Sequence, residues 1–270
     1  MSDQPTPSDV MKDFDATTEQ MIVRMSKQID RWMQYKNKVF PVLRDWEKDT
    51  DKEKSIDDIT FANDILSFAI HLSFIYCDLA TAVRHYRTAK LNYEKRYAVK
   101  HINVIMVEGY RSIYGYSTDE KKKSFWNKSI KSICESISSE CVEKYKNLTD
   151  KIIKIGETGM FDRKRRNLSV HYDIDVEKTY SMLLTLDADF ECLKAIEFMA
   201  LTQQLWQFST EILELKDREI ASRPNEFDAK MEEIMQSDKI PDVVKAEYKK
   251  MMNFLDELPI LTGKITNKTQ

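Results

Sequence analysis

The stretch SIDDITFANDILSFAIHLSFIYCDLATAVRHY, from Ser55 to Tyr86, decides the fold. Its apolar residues recur in steps of three and four: Ile56, Ile59, Ala62, Ile65 or Leu66, Ala69, Leu72, Ile75 or Tyr76, Leu79, Val83 and Tyr86. At about 3.6 residues per turn those steps keep one face of a helix apolar. Phe61, Phe68 and Phe74 widen the stripe, which suits a central helix packed on two sides. Ser55 opens the pattern, and Asp58 follows three residues later to support the first-turn amides. His71 and His85 lie within it without a second histidine or acid cluster at ligand spacing, so both read as packing residues.

Outward from this stretch the same period returns. Residues 1 to 8 read as a disordered lead-in, and Ile22, Met25, Ile29, Trp32 or Met33, Val39 and Phe40 mark a helix up to Pro41, which bends or ends it. The charged run Glu47 to Lys54 reads as a solvated connection or frayed helix end. After Tyr86, a helix over Asn92–Tyr114 carries Tyr97, Ile102, Ile105, Met106, Tyr110 and Ile113, and Gly115 stops it. Arg96 and Lys100 form a basic pair on a solvated face, and His101 has no partner. Ser117 to Glu120 open the next helix, whose face runs through Phe125, Ile130, Ile133, Ile137, Cys141, Tyr145, Leu148 and Ile152. Gly156 to Asp162 reads as a loop. The period resumes at Val176, Tyr180, Leu183 and Leu184, breaks near Asp187, and continues through Phe190, Leu193, Ile196, Met199 or Ala200, Gln203, Trp206, Ile212 and Leu215. Arg223-Pro224 stops it, and two short amphipathic pieces lead to a polar end.

Only 5 Gly and 6 Pro occur in 270 residues, too little punctuation for many strands and tight turns. The expected fold class is all-α: a bundle of about five long helices with a short C-terminal helical appendage. The expected division is a leading helix and charged connection over 1–54, a bundle core over 55–222, and short helices with a polar tail over 223–270. A net charge of −3 supplies no global field for nucleic acid, so such binding would need a local patch. Cys77, Cys134, Cys141 and Cys192 include no C-x-x-C pair and read as small buried hydrophobes, with Cys134 and Cys141 on one helix face. The polar N-terminus lacks an apolar targeting core, and no apolar run approaches the ~20 residues of a membrane span. A soluble, cytoplasmic chain with no membrane contact is expected, and no metal or other cofactor.

One stretch carries chemistry: Arg163-Lys164-Arg165-Arg166-Asn167-Leu168-Ser169-Val170-His171-Tyr172. An imidazole and a guanidinium are what metal-free RNA cleavage needs. The imidazole moves a proton at the ribose 2′-hydroxyl or the leaving oxygen. The planar guanidinium matches the charge growing on the phosphoryl group. Asn167 lies one helical turn before His171 and can orient its ring. Arg163, Lys164 and Arg165 suit backbone phosphates, and Tyr172 suits stacking on a base. Arg166 and His171 are five apart, so a regular helix turns them about 140° away from each other. Either the segment departs from regular helix, or the pair acts with groups from elsewhere.

Arg166-Asn167-x-x-x-His171 resembles the R-x4–6-H signature of the HEPN superfamily, including its polar residue directly after the arginine. The all-helical setting, with the motif between long helices, is similar too. The resemblance implies a HEPN-like core over 55–222 and a homodimer in which two motif copies face each other as one composite site. Arg166 and His171 would be catalytic, Asn167 supporting, and Arg163, Lys164, Arg165 and Tyr172 substrate-binding. The implied activity is metal-independent cleavage of single-stranded RNA by a toxin or phage-defence effector, with an antitoxin or other regulatory protein as a further partner. The alternative is a non-catalytic HEPN-like module that binds RNA, nucleotide or protein.

Overall fold

The computed structural model describes residues 7–48, 53–158 and 187–222, together with 233, 235–237, 240–246 and 249–250. The described residues are helical with no strand, so the chain is all-α. In chain order the helices are α1 (Pro7–Lys48), α2 (Glu53–Thr88), α3 (Asn92–Ile113), α4 (Thr118–Lys123), α5 (Lys131–Ile137), α6 (Ser139–Gly156) and α7 (Ala188–Ser222). A wider π-helical turn, Trp126–Ile130, precedes α5.

Contacts divide the chain into two compact units. The first comprises residues 1–28 and 70–206, the second 29–69 and 207–270. In the first, α2 contributes Leu72, Ile75, Leu79, Ala80 and Val83, and α3 contributes Ile102, Met106 and Ile113, all buried. Trp126, Ile130 and Ile152 from the later helices and Phe198 and Leu205 from α7 complete the core. Gly109 lets α3 come close: a Cβ there would lie 3.1 Å from Ile75 Cγ2 and 3.2 Å from Phe198 Cε1. In the second unit Trp32, Ile65, Phe68, Phe208, Ile212, Ile240 and Val244 are buried. Lys36 donates to Ser67 Oγ there, and the Lys216 ammonium lies 5.3 Å from the Phe61 ring centre.

The broad stripe of α2 is buried on two sides, as its width predicts; Phe74 faces solvent instead. Thr60–Thr88 is long and apolar enough to cross a membrane, with mean hydropathy 1.6, yet 67% of that window is buried inside the protein. Such burial is what the core helix of a bundle shows.

Several helix boundaries differ from those the sequence predicts. α1 already runs at Pro7 and passes through Pro41 to Lys48, so the proline does not end it. Proline removes one intrahelical bond, and the bonds of the neighbouring turns carry the helix across. α2 begins by Glu53, placing Ser55 inside the helix; serine and acids are accepted throughout a first turn, so they do not single out the cap. The expected single helix from Ser117 to Ile155 is broken twice. Ser124 is extended (φ −67°, ψ 151°), and its hydroxyl accepts from Asn127 N at 3.3 Å. Ser138 is extended too, and its hydroxyl accepts from Cys141 N at 3.2 Å. Each serine replaces the missing first-turn partner and thereby starts a new helix.

The Ser138 break also separates Cys134 and Cys141 onto α5 and α6, correcting their placement on one helix face. Gly156, expected in a loop, ends α6 against Tyr110, where a Cβ would sit 2.7 Å from the ring carbon Cζ. In α7 the buried face runs through Cys192, Ala195, Phe198, Leu201, Leu205 and Phe208, while the expected Phe190 and Leu193 are exposed. A helix apolar on nearly every side offers its period no single face to select.

Candidate functional site

Every residue the sequence nominates for catalysis or substrate binding, namely Arg163, Lys164, Arg165, Arg166, Asn167, His171 and Tyr172, lies in 159–186, outside the described residues. The structure describes the helix ends on either side of them. α6 closes with Glu157 N donating to Ile153 O at 3.0 Å and the Thr158 hydroxyl donating to Ile155 O at 2.7 Å. α7 opens on Asp187, whose carboxylate accepts from Asp189 N and Phe190 N, both at 3.1 Å. The Asp187-Ala188-Asp189 break in the periodicity is therefore an N-cap.

Both flanking helices are tied into the first unit. Lys151 donates to Gln204 Oε1 at 2.8 Å, joining α6 to α7. Gly156 packs on Tyr110, beside Gly109, which meets Ile75. At the other end the Tyr86 hydroxyl donates to Asp189 Oδ1 at 3.0 Å. Burial and that bond push the Tyr86 phenol up to about 12. Ile75 and Tyr86 are eleven residues apart on α2, a rise of about 16 Å. The described end of α6 before the motif thus lies near the Ile75 level of α2, and the start of α7 after it lies beside Tyr86.

The described histidines take different surroundings. His71 is mostly buried, its Nε2 is 2.6 Å from Ser112 Oγ, and its ring lies 5.9 Å from that of Phe125. Ser112 already donates its hydroxyl proton to Gly109 O at 2.8 Å, so it accepts from His71 Nε2–H. That bond fixes the neutral tautomer, and burial holds the His71 pKa below its ordinary value. His85 and His101 are exposed and flank Tyr97, with ring centres 6.2 and 4.5 Å away. Tyr97, placed by its period in the α3 core stripe, is thereby found at the surface. A row of three rings spaced by four, Tyr93, Tyr97 and His101, was readable in the sequence, but the core pattern of α3 absorbed its middle member.

The cysteines offer no activated nucleophile. Burial pushes Cys77 up to about 11 and Cys192 up to about 12. A hydrogen bond to Cys141, followed by burial, raises the Cys134 thiol well above its usual range. Thiols held protonated are poor nucleophiles and poor metal ligands. Among the described residues no three His, Cys, Asp or Glu side chains gather as a metal site. The chain matches no protein-family model, and no curated protein or solved structure matches it either.

Proposed function

We propose that the chain is a metal-independent endoribonuclease of HEPN type, acting on single-stranded RNA as a homodimer. The observation that carries the reading is Arg166-Asn167-x-x-x-His171, preceded by Arg163-Lys164-Arg165, in a chain whose described residues are mostly helical and include no strand. The five-residue spacing directs Arg166 and His171 apart on a regular helix, and a second copy of the motif across a two-fold axis supplies the missing groups.

The chemistry is an internal transfer. The ribose 2′-oxygen attacks the adjacent phosphorus, and one His171 takes the hydroxyl proton. The bond from phosphorus to the 5′-oxygen breaks, and the imidazole of the second copy protonates that leaving oxygen. Arg166 stabilises the charge on the non-bridging oxygens. Asn167 holds the imidazole in the tautomer the step requires. Products carry 2′,3′-cyclic phosphate and 5′-hydroxyl ends.

The test is cleavage of a labelled single-stranded RNA in EDTA. The unsubstituted chain is expected to cut it, and His171→Ala and Arg166→Ala each to slow cutting by about 10²–10⁴-fold. Undiminished cleavage by purified His171→Ala protein would falsify the assignment.

A further inference from the structure

We infer that the exposed face of the α2–α3 hairpin is a platform for single-stranded RNA, built from stacking rings and flanking cations in the first compact unit. The inference takes its ligand from the ribonuclease reading, and its residues lie outside the motif.

The platform starts from a local charge excess. Residues 84 to 101 hold six basic side chains (Arg84, Arg87, Lys90, Lys95, Arg96, Lys100) and one acidic one, Glu94, in a chain whose net charge is −3. Acids from neighbouring elements answer the α2 end: Arg84 pairs with Glu19 at 3.2 Å, and Arg87 pairs with Asp15. Glu94 turns back to accept from the backbone amides of Lys90 and Leu91, both at 3.1 Å. Asp189 is engaged by Tyr86. Lys90, just before α3, and Lys95, on it, are both exposed, so positive charge borders this face. Such a patch concentrates phosphate along one surface.

The aromatic component is independent of the charge. Tyr93 is 73% exposed and Tyr97 48%, and Leu91 beside them is 63% exposed. Tyr93, Tyr97 and His101 are spaced by four, so they form one row along α3 with steps of about 6 Å. Tyr97 touches His101 on one side and His85 on the other, which holds its ring in place while leaving it open. Exposed rings in a row, bordered by cations, are the elements that hold single strands, because every base has a π-face. A duplex hides those faces, so the platform discriminates against it. Tyr86 borders the platform, its hydroxyl bonded to Asp189 at the start of α7 and its ring 6.0 Å from the Lys95 ammonium.

The experiment uses the full chain with His171→Ala, so that the RNA probe stays intact. Binding of a labelled oligouridine is followed by fluorescence anisotropy, with a duplex of equal length as competitor. Tyr93→Ala and Tyr97→Ala are each expected to weaken binding tenfold or more, and Tyr97→Phe to retain it. Lys90→Gln with Lys95→Gln should lower the slope of log affinity against log salt by about 0.7 per lysine lost. Circular dichroism verifies that the variants fold. Unchanged affinity in the tyrosine variants overturns the platform, as does preference for the duplex. Dissociation of a dimer by the tyrosine substitutions, with RNA affinity unchanged, also overturns it and assigns the face to protein. If the chain cleaves RNA but the tyrosines do not matter, the platform alone falls. If it binds through the tyrosines and the parent chain never cleaves, the ribonuclease reading alone falls.

Discussion

His71 illustrates how a single side chain couples the fold to pH. Its imidazole is neutral in the folded protein, donating to Ser112, and burial lowers its pKa. Below about pH 6.5 an unfolded histidine takes up a proton that the buried one resists. The unfolded state then binds more protons, so stability is full above about pH 6.5 and falls as acidification proceeds toward the folded pKa. The slope contributed by one such group is at most about 1.4 kcal/mol per pH unit. The unfolding midpoint is expected to drop between about pH 7 and about pH 5, and His71→Gln to flatten that dependence. An equal slope in the variant would assign it to other groups. The place of His71 within the apolar stripe of α2 was legible from the period. Its Ser112 partner was not, because it lies 41 residues away on another helix.

At the scale of elements, the short polar residues decide where helices begin and end. Gly115 follows α3 with φ +85°, a conformation glycine adopts freely and L side chains do not. Directly after it, Ser117 and Glu120 cap α4 reciprocally: Ser117 Oγ accepts from Glu120 N at 3.2 Å, and the Glu120 carboxylate accepts from Ser117 N at 3.3 Å. The same carboxylate accepts from Arg111 Nε at 2.8 Å, so the turn is pinned back onto α3. A Cβ on Gly115 would also lie 2.6 Å from the Glu120 carbonyl carbon. Gly115→Ala is expected to cost about 1–2 kcal/mol from the left-handed backbone alone, and more from the contact. Thermal unfolding reads this as a drop of several degrees; an unchanged midpoint would mean that α4 moves aside without loss. Both signals, the glycine and the serine-to-glutamate spacing, stood in the sequence. The breaks at Ser124 and Ser138 did not, because the apolar period runs straight through them. Trp126 shows what the first break accomplishes: its ring stacks on Tyr145 at 4.8 Å, and its Nε1 donates to Thr149 Oγ1 at 2.8 Å. Those partners sit on α6, and no local pattern announces them.

At the scale of the whole molecule, the proposed activity requires two chains. A composite site predicts a homodimer at micromolar concentration by light scattering, and mixing His171→Ala chains in excess with unsubstituted chains should lower cleavage below the share the unsubstituted chains give alone, because a mixed dimer lacks one of the two imidazoles. A monomer that cleaves RNA at the full rate would exclude a composite site. The mixed-chain result separates a shared site from two independent ones, since independent sites in the unsubstituted chains would keep their full activity.

Helix content, the central place of α2 and the R-x4-H motif are properties of near neighbours along the chain. Scarce glycine and proline, apolar residues every three or four positions, and six contiguous residues suffice to state them. The exposed Tyr97, the buried face of α7 and the breaks within Ser117–Ile155 depend on partners far away in sequence. Where a helix is apolar on several sides, its period permits more than one buried face, and packing against neighbouring helices selects among them.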